Sequence, residues 1–202
     1  MSHYLRIALA QANLLVGDIR GNADKVIDIA QEAKEHHAAD IVVFPELTLT
    51  GYPPEDLLLR DDLFDRIDTE LARIKATVEG IDVVLGLPWR EDGKVYNAAM
   101  VVGGGQIKAR YYKHCLPNYS VFDECRYFDP GHEAVVFERR RIRIGLTICE
   151  DLWRSGPAQK AAESGAQILI NLNTSPYHVG KTSERESAIR SRVAESGCAI
   201  VY

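Results

Sequence analysis

The chain has 202 residues, enough for one domain with a sizeable core. Hydrophobic residues make up 46% and charged residues 26%, a balance that excludes a disordered chain. The formal net charge of −5 argues against nucleic acid or an anionic membrane as the main partner, and no apolar run is long enough to span a bilayer.

The start, "MSHYLRIALAQANLLVGD", lacks the long apolar region and small-residue cleavage site of a signal peptide. A cytoplasmic protein with reduced cysteines is therefore expected. "YLRIALAQ" reads as a buried strand. Apolar residues at Val26, Ile27, Ile29, Ala30 and Ala33 have helical spacing, with Asn22 as the expected N-cap. "DIVVFPE" is a second buried strand, stopped by Pro45. "GYPPEDLLLR" is a turn-rich loop. Leu63, Ile67, Leu71, Ile74 and Val78 mark a second amphipathic helix over 62–79, and "DVVLGLPW" a third buried strand.

The pattern then changes. "KVYNAAMVVGGGQIKARYYK" predicts two strands joined by a Gly-rich hairpin turn, and "HCLPNYSVFDECRYFDPG" a loop. "EAVVFERRRIRIGLTIC" predicts a second hairpin turning near Arg139 and Arg140. A helix from about Leu152 to Ser164 follows. "AQILINLN" is a strand, "SERESAIRSRVAESG" a helix, and "CAIVY" a further strand. Alternating strands and helices around central hairpins predict layered α/β packing with a mixed sheet. Neither a linker-like stretch nor a repeat divides the chain, and the strand that closes it suggests a fragment of a longer protein.

Three predicted strand ends carry complementary side chains. Cys149 sits where a strand turns into the 152–164 helix, a position that exposes a nucleophile and aims free backbone N–H groups at one point. A helix N-terminus also lowers a thiol's pKa. Glu150 and Asp151 beside it act the other way, so a cation elsewhere is required. Lys113, closing "IKARYYK", is the candidate for that cation. Glu46, after "IVVFP", is placed to serve as a general base. Each has a plainer reading: a buried structural cysteine, a lysine lying along the surface and a solvated loop glutamate. A rival set, His114, Cys115, Cys125 and His132, has zinc-ligand chemistry but no C-x₂₋₄-C pair. "GGGQ" lacks the Lys-Ser/Thr of a phosphate loop.

"VVFPELTLTGYPPEDLLLR", "KHCLPNYSVFDECRYFDPG", "GLTICEDLW" and "NLNTSPYHVGKTSER" together resemble the glutamine-hydrolysing domains of bacterial glutamine-dependent NAD synthetases. These domains are a branch of the nitrilase, or carbon–nitrogen hydrolase, superfamily, and the resemblance runs along nearly the whole chain. It implies an α-β-β-α sandwich with mixed sheets, cut short at its C-terminal end, and one hydrolase domain over 1–202 without the synthetase domain. It also implies Glu46 as general base, Lys113 as anion stabiliser, Cys149 as nucleophile and Glu124 as the partner that orients the lysine. Tyr119, Ser175 and Lys181 match glutamine-binding positions, and Tyr52, Phe122 and Trp153 are implied pocket walls. Ser120 stands where the family more often has Gly, and Cys125 where it more often has a basic residue. The implied half-reaction is amide hydrolysis of L-glutamine through a thioester, with no metal or organic cofactor. ATP, Mg and deamido-NAD belong to the missing synthetase domain, which is the implied partner in a homo-oligomer. An amidase or carbamoylase of the same superfamily, a non-catalytic zinc-binding interaction domain and an inactive fragment are the alternatives.

Overall fold

The strands sort into two sheets because their apolar residues alternate between two faces. The computed structural model describes residues 4–202. In chain order the elements are β1 (Ile7–Leu9), α1 (Ile19–Glu35), β2 (Ile41–Val43), α2 (Asp61–Thr77), β3 (Asp82–Glu91), β4 (Lys94–Gly103), β5 (Gln106–Tyr112), β6 (Val136–Arg139), β7 (Ile142–Ile148), α3 (Pro157–Glu163), β8 (Ile168–Leu172), α4 (Lys181–Ser196) and β9 (Ala199–Val201). The first sheet has the order β1-β2-β3-β4-β5 and the second β6-β7-β8-β9. Both are mixed. β1, β2 and β3 run parallel and β3, β4 and β5 antiparallel, while β6 and β7 pair antiparallel and β7, β8 and β9 parallel.

The core forms three layers of contact. Val42, Val83 and Leu85 face outward from the first sheet and meet Val26, Ile67 and Leu71 of α1 and α2. The opposite faces, with Ile41, Val43, Val84 and Val101, pack against Ile144, Leu146, Ile148 and Ile170 of the second sheet. Behind that sheet Leu169 packs on Leu152, Ala158 and Ala161. This is the α-β-β-α sandwich expected from the resemblance. No helix among the described residues is long and apolar enough to cross a membrane.

Several local expectations change. Asp18, not Asn22, caps α1, accepting a hydrogen bond from the Gly21 N–H at 3.0 Å. Asn22 is instead fully buried and bonds the backbone of Leu15 and Leu49. β1 is shorter than "YLRIALAQ", and as an edge strand it leaves Leu9 exposed. The β6–β7 hairpin turns on Arg140 and Arg141, both at positive φ. The helix expected from Leu152 splits into a short 3₁₀ turn, Cys149–Leu152, and the separate α3. Gly156, at φ 113°, breaks the chain direction, and Pro157 starts the new helix where its missing N–H costs nothing.

Candidate active site

The ends of β2, β5, β7 and β8 converge, and the residues just beyond them build the site. Glu46 lies in the turn after β2. Phe44 N–H bonds the Val84 carbonyl at 2.8 Å and Leu49 N–H bonds the Gly86 carbonyl at 3.3 Å, so this turn rests on β3. Lys113 follows β5 directly. Its N–H bonds the Asn97 carbonyl at 2.9 Å and its carbonyl accepts from Gly131 N–H at 2.8 Å. Glu124 opens a 3₁₀ turn in the loop after Lys113.

Lys113 is fully buried, which rules out the surface reading. Its ammonium donates to Glu46 Oε1 at 2.7 Å and to both oxygens of Glu124 at 2.8 Å. Glu46 is 1% exposed. Its Oε1 also accepts from Asn97 Nδ2 at 2.8 Å, whereas its buried Oε2 has no hydrogen-bond partner among the described residues. Tyr52 donates to Glu124 Oε1 at 3.2 Å. Burial alone would depress the lysine pKa. Glu46, a Cys149 thiolate and Glu124 outweigh that and hold it well above its ordinary value. Burial and the charge of Glu46 push Glu124 up to about 7 against the pull of Lys113.

Cys149 follows β7 with φ 42°, a conformation uncommon for a side chain other than glycine. The sharp bend after the strand is present, but the expected helix N-terminus is not. Four residues of 3₁₀ turn follow instead. The thiol pKa accordingly stands well above its usual value, and burial is the main cause. Glu46 and Glu124 raise it further, while Lys113 and a backbone hydrogen bond from Thr174 oppose them. These surroundings favour the protonated thiol over the thiolate.

The acids adjacent to Cys149 are occupied elsewhere. Glu150 pairs with Arg154 at 2.9 Å and accepts from Tyr119 O–H at 2.8 Å. Asp151 is turned to backbone N–H groups and Tyr111.

The remaining candidates are held by other contacts. Tyr119 packs edge-on to Phe122, and burial with the Glu150 bond pushes its phenol up to about 12. Phe122, Tyr52 and Glu124 line a cavity of about 260 Å³ that does not include Cys149 among its lining residues. Ser120 has φ 56°, a conformation glycine adopts more readily. Lys181, the first residue of α4, places its ammonium 4.1 Å from the centre of the Trp153 ring. Ser175 Oγ accepts from Arg185 at 2.8 Å and its N–H bonds Asn173 Oδ1 at 2.9 Å.

Three residues escaped the sequence reading, and Asp151 was read only as a charge beside Cys149. Asn97, Asp151 and Thr174 hold Glu46 or the turns that carry Glu46 and Cys149, and Tyr202 lies within electrostatic reach of the Cys149 sulfur. A polar Asn amid the apolar "YNAAMVV" was a signal for the first. The rival ligands His114, Cys115, Cys125 and His132 form no cluster. Among the described residues no group of three or more His, Cys, Asp or Glu side chains could hold a metal ion.

Two mixed sheets with helices on their outer faces, and a site built on converging strand ends, define a nitrilase-like α/β protein. Residues 6–202 match the family described as carbon-nitrogen hydrolase, and the chain belongs to that family. It is 45% identical to the glutamine-dependent NAD(+) synthetase of Xanthomonas campestris pv. campestris, covering 100% of this chain and 37% of that protein. The glutamine-dependent NAD+ synthetase structure from Acinetobacter baumannii superposes with a TM-score of 0.93 at 40% identity, over 98% of this chain and 38% of that one. A mutant of the amidase from Nesterenkonia sp. AN1, with acrylamide added at its active-site cysteine, gives a TM-score of 0.86 at 25% identity. That match covers 98% of this chain and 78% of the amidase. The chain thus spans little more than a third of the length of the synthetases it matches.

Proposed function

We propose that this domain hydrolyses the side-chain amide of L-glutamine through a cysteine thioester and supplies ammonia to a synthetase. The observation that carries the reading is a buried Glu46–Lys113–Glu124 cluster whose charges act on a buried thiol held at a strained bend. Such a thiol is a poor nucleophile until a base removes its proton, and the unpartnered Oε2 of Glu46 is suited to receive it. The sulfur then attacks the amide carbon. Lys113 and a backbone N–H after Cys149 stabilise the oxyanion. Glu46 returns the proton to the leaving nitrogen, and ammonia departs. The same carboxylate takes a proton from water, whose oxygen attacks the γ-glutamyl thioester. Glutamate leaves, and the proton returns to sulfur. Every step uses this chain's own side chains, in keeping with a family that typically works without cofactors.

Substrate choice rests on the rim. A free amino acid presents an ammonium and a carboxylate, so its site needs groups of both polarities. Lys181 on Trp153 would take the α-carboxylate, with Tyr119 and Ser175 as hydroxyl partners and Tyr52 and Phe122 as walls. The higher identity to proteins named as glutamine-dependent synthetases, 45% against 25% for the amidase, favours glutamine over simple amides. In the full protein an ATP-dependent domain would use the ammonia to convert deamido-NAD to NAD.

The test is Cys149→Ala in the full-length protein. Glutamine-dependent NAD synthesis should vanish while synthesis from added ammonia persists. Equal loss of both would overturn the division of labour.

A further inference from the structure

The chemistry above leaves Asp151 without a task, although its side chain is fully buried. Its carboxylate is saturated by four donors. Oδ1 accepts from the backbone N–H groups of His114 at 3.1 Å and Cys115 at 2.8 Å. Oδ2 accepts from the Ile148 N–H at 2.9 Å and the Tyr111 O–H at 2.8 Å. Ile148 immediately precedes the nucleophile. His114 and Cys115 immediately follow the lysine, and Tyr111 is the penultimate residue of β5, the strand that leads into it. The lysine directly follows β5 of the first sheet and the cysteine directly follows β7 of the second. One carboxylate therefore clamps the backbones that carry the two groups whose separation decides oxyanion stabilisation.

We propose that Asp151 is a positioning residue, which sets Cys149 against Lys113 by tying the turn after β7 to the exit of β5. The proposal rests on the glutaminase reading for its catalytic consequence, but the clamp itself is geometric. Nothing in the contacts of Asp151 directs it at substrate. Its bonds all go to backbone N–H groups and one buried phenol.

Two other roles predict different results. An electrostatic role would have Asp151 disfavour the Cys149 thiolate by its charge, so neutralising it would make the sulfur more reactive. A purely structural role would lower the melting temperature and leave the folded fraction fully active. Loss of positioning makes the sulfur less reactive and slows turnover in protein that is still folded.

Asp151→Asn keeps the side-chain size but offers one acceptor oxygen and turns an NH₂ group towards two donors. Tyr111→Phe removes one donor and leaves the three backbone bonds. Both would be made in the full-length protein. The readouts are kcat and KM for glutamine, the melting temperature, and the rate of Cys149 alkylation by iodoacetamide at pH 8, followed by peptide mapping. The clamp predicts that folded Asp151→Asn loses about tenfold or more in kcat with KM within about threefold, because small displacements at a reacting centre carry large rate costs. Alkylation should slow in parallel. Tyr111→Phe should show the same pattern at roughly threefold, and it decides the matter alone if Asp151→Asn does not fold. Unchanged kcat and alkylation in the folded variants, or faster alkylation, would overturn the proposal. Alkylation requires no substrate. If wild-type protein failed to hydrolyse glutamine, the glutaminase reading would fall, and the alkylation rates would still decide the clamp.

Discussion

Two carboxylates share one ammonium in the site, and they are not equivalent. Glu124 gives both oxygens to Lys113, whereas Glu46 gives one and keeps the other unpartnered. Glu124, which faces both the neighbouring carboxylate and the cation, is shifted upward, from 4.5 to about 7. The principal causes are burial and then Glu46. Between those two pH values the folded protein holds a proton that the unfolded chain has released. Folding therefore loses stability from this group as pH rises through the window. Glu124→Gln cannot titrate. The difference in melting temperature, variant minus wild type, should increase from pH 4.5 to 7 and level off above it. Thermal melts of both proteins across that range would show it, and a difference that decreases with pH would assign the shifted proton to another group. Charge at the thiol has the same local logic. Glu150 and Asp151, the acids adjacent in sequence, are engaged by Arg154, Tyr119, Tyr111 and backbone donors, while the distant Glu46 and Glu124 act on the sulfur.

At the scale of elements, Glu46 is placed by a glycine in another strand. A Cβ on Gly86 of β3 would lie 2.3 Å from Leu47 N and 2.9 Å from the Glu46 backbone, a contact only backbone movement could relieve. Gly86→Ala should displace the turn carrying Glu46, the proposed base, and lower kcat by about 10²-fold. Gly104→Ala, at a hairpin turn with φ 61° and nothing near its Cβ, supplies the comparison. It should cost about 1 kcal/mol of stability and leave kcat unchanged. Steady-state kinetics beside melts of both variants would check this, and a Gly86→Ala enzyme of normal turnover would show that the turn adapts. Such contacts mark the limit of what a sequence displays. Strand and helix periodicity made β2, β3, α2 and both hairpins legible, because each buries a regular apolar face. The strand ends bearing Glu46, Lys113 and Cys149 could be read for the same reason. Asn22 misled because a cap and a buried loop-holding amide have the same residue type. The continuous helix after Leu152 was wrong because Gly156 and Pro157 reset the backbone there. Glu124, in an irregular loop, was legible only through resemblance. Asp151 was counted as a free charge because three of its four donors, Tyr111, His114 and Cys115, come from a distant segment.

The whole molecule matters to the chemistry because the site straddles both sheets. Glu46, Lys113 and Glu124 come from the first sheet and the loop after it, and Cys149 and Thr174 from the second. The separation of Glu46, Lys113 and Cys149 is therefore set by how the two sheets pack, far beyond the site itself. Ile144, at the start of β7 away from the cysteine, is fully buried in that interface. Leu71 is 3% exposed in the outer core, where α2 covers the first sheet. Truncating either to alanine removes buried methyl groups and leaves a cavity, at a cost of about 2–5 kcal/mol. If stability alone governed activity, the two variants would behave alike at any temperature where both are folded. A shift between the sheets changes the approach of Cys149 to Glu46 and Lys113, while a cavity under α2 leaves both sheets in place. Ile144→Ala should accordingly lose about tenfold in kcat at a temperature well below both melting points, and Leu71→Ala should retain nearly all of it. Kinetics on the two variants, with circular dichroism at the assay temperature to establish that each is folded, would decide. Equal turnover in both would mean that local ties such as Thr174 O–H to the Glu46 carbonyl, at 3.1 Å, hold the site together without help from the sandwich.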